Sequence, residues 1–337
     1  MSPVKRLMKS TAASLASRYG QHRRRHLDPH LWVLMYHRIL PTSDPRFQYE
    51  EPGMIVTPDT FDMHMQEAKK HFDILSLQEW VQLKTAGASL PSKACVITFD
   101  DGWLDNLEFA LPILQHHQAP ATLFAVAEKI GTDFQFWPNR VLWLLFNSGA
   151  DLLKNHPLLG KAYPDNTLKI DGECAAQFIL QLKQFSDQEI FTSLDEIACN
   201  TDLFAAMPRA LMNWDEIKLM QASGLIDIGS HTSSHKRLTD KLNSADLHHE
   251  IADSKDILER ELKQKINLFC FPNGDYNRTA LELVKATYSA AVTTQRGIVM
   301  SKSPNNNFSL HELKRIGLHE QVSNTPRNFG ARLSGMM

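Results

Sequence analysis

The 337-residue chain has little cysteine and no pattern in what it has. Cys95, Cys174, Cys199 and Cys270 show no C-x-x-C spacing, so no paired-cysteine motif is present. They read as reduced, mostly buried thiols, which suits a cytosolic compartment. Long apolar runs are also missing, none approaching the roughly 18 residues that cross a bilayer. No secretory signal is evident, because the TAASLAS stretch is short, weakly apolar and followed by Arg18. Charge of one sign is lacking as well: a net charge of -2 gives no ground for a nucleic-acid partner. With 43% hydrophobic and 22% charged residues, the chain has the composition of a globular protein of one large or two medium domains.

One local absence is informative. Residues 1–26 hold no carboxylate, while Lys5, Arg6, Lys9, Arg18, Arg23, Arg24 and Arg25 are all present. Val4, Met8, Thr11, Leu15 and Tyr19 recur at helical spacing, with Leu7 and Ala12 beside them. The pattern predicts a basic amphipathic helix, over 1–30, able to lie on an anionic membrane surface. It also suits a solvated, poorly ordered terminus or a mitochondrial presequence. The first reading places the protein in the cytoplasm, peripheral on the inner face of the membrane.

Beyond this segment, strand-like runs alternate with helical patterns. The expected strands are 31–36, 74–77, 95–99, 121–126, 226–229, 268–271, 290–293 and 314–318. Several are continuously apolar, as when both faces of a sheet are buried. Thr57-Pro58 predicts a helix start whose stripe is Phe61, Met65, Ala68 and Phe72. Asn213-x-x-Glu216 predicts a capping box. Ser244 is the expected cap of a helix whose stripe is Leu247, Ile251, Ser254, Leu258 and Leu262. The alternation implies an α/β fold with a parallel sheet, and seven or eight strands favour a (β/α) barrel. Residues 131–212 break the rhythm and read as a helical insertion, with helices over 140–146, 174–185 and 187–198. The barrel domain is then 31–130 and 213–320, and 321–337 is a C-terminal tail.

Two stretches carry chemistry. In VITFDDGW (96–103) a buried strand runs into adjacent carboxylates, Asp100 and Asp101, which repel unless a cation is near. In IDIGSHTSSH (226–235) a strand ends before His231 and His235, four residues apart. A helical turn there would put both imidazoles on one side, roughly 6 Å apart at their bases. The pairs His116-His117 and His248-His249 read instead as solvated helix faces. Both stretches follow expected parallel strands, so a barrel brings them to one rim. One carboxylate with two histidines makes a metal-ligand set with open positions, and the metal's charge keeps the other aspartate ionised as a base.

TFDDG and HTSSH, in this order, resemble the first two motifs of the polysaccharide deacetylases (NodB-homology proteins, carbohydrate esterase family 4). MNWDEIKLMQASGLIDIGSHTSSH follows the family's approach to its second motif. FPNGDYN (271–277) resembles its third-motif loop, and LKRIGL (313–318) a late strand. LMYHRI (34–39) is similar to the start of the subgroup that holds the biofilm poly-N-acetylglucosamine deacetylases. The resemblance implies a distorted (β/α) barrel of the NodB-homology type. It implies Asp100 as general base and Asp101, His231 and His235 as metal ligands. It also implies Asn273 as source of an oxyanion-stabilising backbone N–H, and His37 as general acid. Without the resemblance, His37 reads as a strand-end histidine with a structural hydrogen bond.

The chain departs from the family where many members carry an arginine that pairs with the base aspartate, since Cys270 stands there. Asn273 replaces an aromatic residue, and no late LxH motif is evident. Arg315 is either a replacement cation beside Asp100 or a structural arginine. The implied activity is metal-dependent removal of an N-acetyl group from an amino sugar in a polysaccharide or lipid-linked glycan precursor. Zn2+ is the first choice, with Co2+, Ni2+, Mn2+ or Fe2+ as substitutes. The alternatives are an amidase or deformylase on another amide, a non-haem iron oxygenase and a non-catalytic carbohydrate-binding member of the fold. A second adjacent aspartate has no role in an oxygenase.

Overall fold

Seven of the eight expected strands close on themselves. In the computed structural model, which describes residues 3–147, 149–164, 172–199, 202–300 and 308–336, these are β1 (His30–Tyr36), β2 (Lys93–Phe99), β3 (Ala121–Ala125), β4 (Ile226–Ser230), β5 (Leu268–Cys270), β6 (Ala290–Arg296) and β7 (Leu313–Gly317). They lie in the order β1-β7-β6-β5-β4-β3-β2, and β2 pairs back with β1 to complete a parallel barrel. The closing seam runs in register from His30 opposite Lys93 to Tyr36 opposite Phe99.

The continuous apolar runs follow from this closure. Leu31, Val33, Ala94, Val96, Phe124, Leu268, Val292 and Leu313 pack together as one set. Their neighbours Trp32, Leu34, Ile97 and Ile228 belong to the set that packs with Phe61, Met65, Leu258 and Leu262 of the surrounding helices. Successive strand residues point to opposite faces, and both faces here are covered. Gly229 has to be glycine, because a Cβ there would come 2.5 Å from the Phe124 ring.

Several local readings change. The expected strand at 74–77 is only Asp73–Ile74, because the Ser76 side chain accepts from the Glu79 N–H and starts helix Leu77–Thr85. A side chain that satisfies a helix terminus wins over strand extension here. Thr57 and Asn213 cap their helices as expected. Asn243, not Ser244, caps the next one, with Asp246 completing a capping box. That helix buries Leu247, Ile251, Ser254, Leu258 and Leu262 and contains a π turn at His249–Asp253.

The N-terminal helix spans Pro3–Tyr19, as expected, and the described part of its apolar stripe is left exposed. Leu15 and Tyr19 are each 53% exposed, whereas Ala13 and Ala16 pack on Ala331. Small residues win because they allow close approach to helix Pro326–Leu333, where a Cβ at Gly330 would meet Ser17 Oγ. Residues 321–337, expected as a tail, thus include a docked helix, and Trp32 Nε1 donates to the Leu333 carbonyl at 2.9 Å. Of the free cysteines, Cys95 and Cys270 are buried, Cys174 is half-buried and Cys199 is exposed. His117, expected in solvent, is buried and hydrogen-bonded to Asp62 Oδ1 at 2.7 Å.

The chain divides into two compact units, Met1–Ile39 with Val56–Thr132 and Leu211–Met337, and Leu40–Ile55 with Asp133–Ala210. The second unit thus takes in 40–55, which the sequence reading placed in the barrel domain. Its helices include Trp137–Phe146, Gly172–Leu182 and Asp187–Ala198, the last started by a Ser186–Glu189 capping box. Val141, Leu145, Phe178, Ile190 and Leu194 form its core. Asn139 Nδ2 donates to the Tyr49 carbonyl and to Glu50 Oε2, each at 2.8 Å, tying 40–55 into the same unit.

A buried histidine in the first unit gives a pH-dependent stability. His64 Nε2 lies 2.7 Å from the Ser323 carbonyl, so it carries the proton, and Nδ1 accepts from the Tyr36 hydroxyl at 3.0 Å. Burial lowers its pKa to about 4, against a partial opposing effect of the Ser323 carbonyl. Above the ordinary value of 6.5 neither folded nor unfolded His64 is charged. As pH falls from 6.5 to about 4, the unfolded chain takes up a proton that the folded one does not. Stability should therefore decline over that window, by about 3 kcal/mol at its lower end. Urea unfolding of wild type and His64→Gln at several pH values checks this; equal slopes in the two proteins would assign the decline to other groups.

Candidate active site

The two motif stretches meet at the carboxyl ends of the barrel strands. Asp100 and Asp101 follow β2, His231 follows β4, His37 follows β1, Cys270 ends β5 and Arg315 lies on β7. The Asp100 N–H continues the β1–β2 ladder by donating to the Tyr36 carbonyl at 3.1 Å. Asp101 then turns the chain with φ 76°, and the Gly102 N–H reaches back to the Asp100 carbonyl at 3.0 Å. That is a tight γ-turn around a non-glycine residue, an uncommon and strained geometry. It sends the two adjacent carboxylates to different partners.

Asp100 faces the barrel interior and meets Arg315. The guanidinium is fully buried and bidentate, with Nη1 to Oδ1 and Nη2 to Oδ2 both at 2.7 Å. Arg315 Nε donates to the Thr293 carbonyl at 2.8 Å, Nη1 also to Thr98 Oγ1 at 3.1 Å, and Nη2 to Cys270 Sγ at 3.1 Å. Burial pushes the Asp100 carboxyl up, but the charge and hydrogen bonds of Arg315 outweigh it and hold the group below its ordinary value. Of the two readings of Arg315, the structure supplies the cation beside Asp100. The tolerance of paired aspartates at a strand end therefore has a protein side chain behind it. His37 Nε2 lies 3.8 Å from Asp100 Oδ2, with its side chain 20% exposed. Asn106 Nδ2 holds the His37 carbonyl at 2.9 Å.

Asp101 faces the histidines. Its Oδ1 is 3.3 Å from both His231 Nε2 and His235 Nε2, and its Oδ2 accepts from Trp103 Nε1 at 2.9 Å. The imidazoles come together without the helical turn expected from their spacing. Thr232 (φ 66°) and His235 (φ 67°) are both left-handed, Thr232 Oγ1 accepts from the His235 N–H at 2.9 Å, and the ring centroids lie 4.9 Å apart.

This group fits a divalent cation. Nδ1 of His231 gives its proton to the Cys270 carbonyl at 2.8 Å, so Nε2 presents a lone pair to the site. Asp101 Oδ1 is buried and has no hydrogen-bond donor. Acceptor atoms of Asp101, His231 and His235 therefore converge, all within 4.8 Å of one another, and a buried carboxylate oxygen facing lone pairs calls for a cation. A second convergent group, Asp100, His231 and Cys270, already has Arg315 as its cation. Asn273 differs from the others: it is exposed in the turn after β5, at φ 54°, with its carbonyl accepting from Thr294 Oγ1 at 2.9 Å.

Two anchoring carboxylates escaped the sequence reading. Asp105, fully buried, binds Arg38 Nε at 2.9 Å and the Ile39 N–H at 2.7 Å, and Arg38 stacks 4.2 Å from the Trp103 ring. This locks LMYHRI to FDDGWLDN. Glu250 is also fully buried and accepts from the Ser234 N–H at 2.9 Å and Ser234 Oγ at 2.5 Å. It lies in the π turn, a geometry that often marks a functional site, and Ser233 Oγ bonds the His249 carbonyl at 2.7 Å. The missed signal was a glutamate on the same helix as a clean apolar stripe. Replacing Glu250 with Ala should loosen the turn that carries His235 and weaken divalent-ion affinity about 10–100-fold. Competition against a fluorescent chelator measures this; an unchanged affinity would leave Glu250 a role in stability alone.

Comparisons with known proteins bear on the family and the fold. A family model described as polysaccharide deacetylase matches residues 87–157 and 181–291, more than half of the chain. The chain is 23% identical over 307 residues to the Bacillus subtilis protein YxkH, covering 90% of this chain and 76% of that one. Among solved structures it is similar to the deacetylase PplD of Streptococcus pyogenes in complex with acetate (TM-score 0.59, 22% identity, 92% of this chain and 99% of that one). It is also similar to IcaB of Ammonifex degensii (TM-score 0.56, 18% identity, 90% and 97%). At such identities the structural likeness establishes the fold.

Proposed function

Since the chain belongs to the polysaccharide deacetylase family, we propose that it is a divalent-metal-dependent hydrolase that removes N-acetyl groups from amino sugars of a glycan, either a polysaccharide or a lipid-linked precursor. The observation that carries this reading is the division of labour between adjacent aspartates, Asp100 on Arg315 and Asp101 on two histidines.

Asp101, His231 and His235 would hold the ion, and zinc suits two imidazoles and a carboxylate first. When bound, a divalent ion supplies Lewis acidity toward an acetyl oxygen and toward water. The chain's own groups do the rest. Asp100, kept ionised by Arg315, accepts the proton of the attacking water. The peptide N–H of Asn273 is assigned to the developing negative charge on the acyl oxygen. His37, whose Nε2 lies 3.8 Å from Asp100 Oδ2 with its side chain partly open to solvent, gives its proton to the departing amine. The products are acetate and a free amino sugar.

Mass spectrometry of acetylated free and lipid-linked amino-sugar oligomers, incubated with zinc-loaded protein, tests the reading. Loss of acetyl groups from either series supports it and names the substrate form. Intact substrates across both series, with acetate release from another amide, would move the protein to the amidase reading.

A further inference from the structure

The N-terminal helix has two faces of opposite character. Ala13, Ala16, Ser17 and Gly20 are buried, while Thr11, Ala12, Leu15, Arg18 and Tyr19 are exposed. Leu15 and Tyr19 lie one turn apart, each 53% exposed, and Leu27, in the segment leading to β1, is fully exposed. A single exposed apolar side chain is ordinary, but these come with cations. The Arg18 guanidinium lies 5.6 Å from the Tyr19 ring, Arg24 Nε donates to the Tyr19 carbonyl at 2.9 Å, and exposed Arg24 and Arg25 precede Leu27. No carboxylate occurs before Asp28.

We propose that this outward face, with the segment after it, is a docking surface for an anionic lipid bilayer. Leucine and tyrosine side chains would enter the boundary between headgroups and acyl chains, and the guanidiniums would meet lipid phosphates. Nucleic acid would satisfy the cations but leave Leu15 and Leu27 in water. A second copy of the chain would bring one cationic face against another. Among the described residues no helix is long and apolar enough to cross a membrane, and the surface proposed is of a helix lying on one.

The test is cosedimentation of the full chain with vesicles of phosphatidylcholine alone or mixed with phosphatidylglycerol. Two variants change only exposed positions: Leu15→Ser with Tyr19→Ser, and Arg18→Gln with Arg24→Gln and Arg25→Gln. Wild type should bind the mixed vesicles, bind the neutral ones far less, and be released by salt. The triple arginine variant should lose about 100-fold or more in partitioning, and the apolar pair should lose binding at low salt as well. Equal binding of variants and wild type, or equal binding to both vesicle types, would overturn the proposal. So would a dimer in solution that the apolar pair abolishes, which would give the face to a second copy.

Discussion

Replacing Asp100 with Asn should leave the divalent ion in place and remove turnover by about 10²–10⁴-fold, the loss expected when a positioned base is neutralised. The amide keeps the side chain's size and one acceptor oxygen for Arg315, but it cannot take a proton from water. Replacing Asp101 instead should lower metal content, because Asp101 Oδ1 is the oxygen that faces both imidazoles. Elemental analysis beside turnover separates the two. Metal lost from both variants would mean that the carboxylates share one role, and an active Asp100→Asn protein would remove Asp100 from the chemistry.

The second large effect concerns Arg315. Changing it to Met leaves a carboxylate buried in the barrel without its partner, and breaking a buried pair in this way costs about 3–5 kcal/mol. It also removes the cation that keeps the Asp100 carboxyl below its ordinary value, so the acid limb of any pH–rate profile should move to higher pH. The linkage has a definite sign. Asp100 ionises more readily folded than unfolded, so its contribution to stability is present above the unfolded value and is lost as pH falls through the folded one. Adding Asp100→Asn to Arg315→Met removes the stranded charge and should restore part of the lost stability. Denaturant unfolding at neutral pH decides the matter: a single variant as stable as wild type would mean that water already screens the pair.

The barrel was legible because its signals are local and repeated. Continuous apolar runs such as Cys95–Phe99 and Ala121–Ala125 need only a sheet covered on both faces, and caps such as Thr57 and Asn213 announce helices within four residues. Asp100, Asp101, His231 and His235 were legible because a motif keeps chemistry at fixed spacing. The grip of Arg315 on Asp100 was left open, since 215 residues separate the two and no pattern on β7 marks which side chain turns inward. Asp105 and Glu250 were missed for a related reason: a buried carboxylate with polar partners looks, in sequence, like any solvated one. The docking of the N-terminal helix was not legible, because large apolar residues define a stripe on paper, whereas the neighbouring helix offers Gly330 and Ala331 and selects alanines.

Cys270 holds both halves of the site. Its carbonyl fixes His231 and its sulfur contacts Arg315, at the position where the resemblance drawn from the sequence would place an arginine paired with the base. The exchange between the two solutions is therefore not a path of independent single steps. Cys270→Arg alone would set two guanidiniums against one buried carboxylate, and Arg315→Cys alone would strand that carboxylate. Only the double exchange keeps the charge balanced, so each single variant should unfold at lower denaturant than the pair together. Arg315 on β7 and the residue at the end of β5 therefore constrain each other: while Arg315 stays, position 270 should accept small neutral side chains and be closed to basic ones.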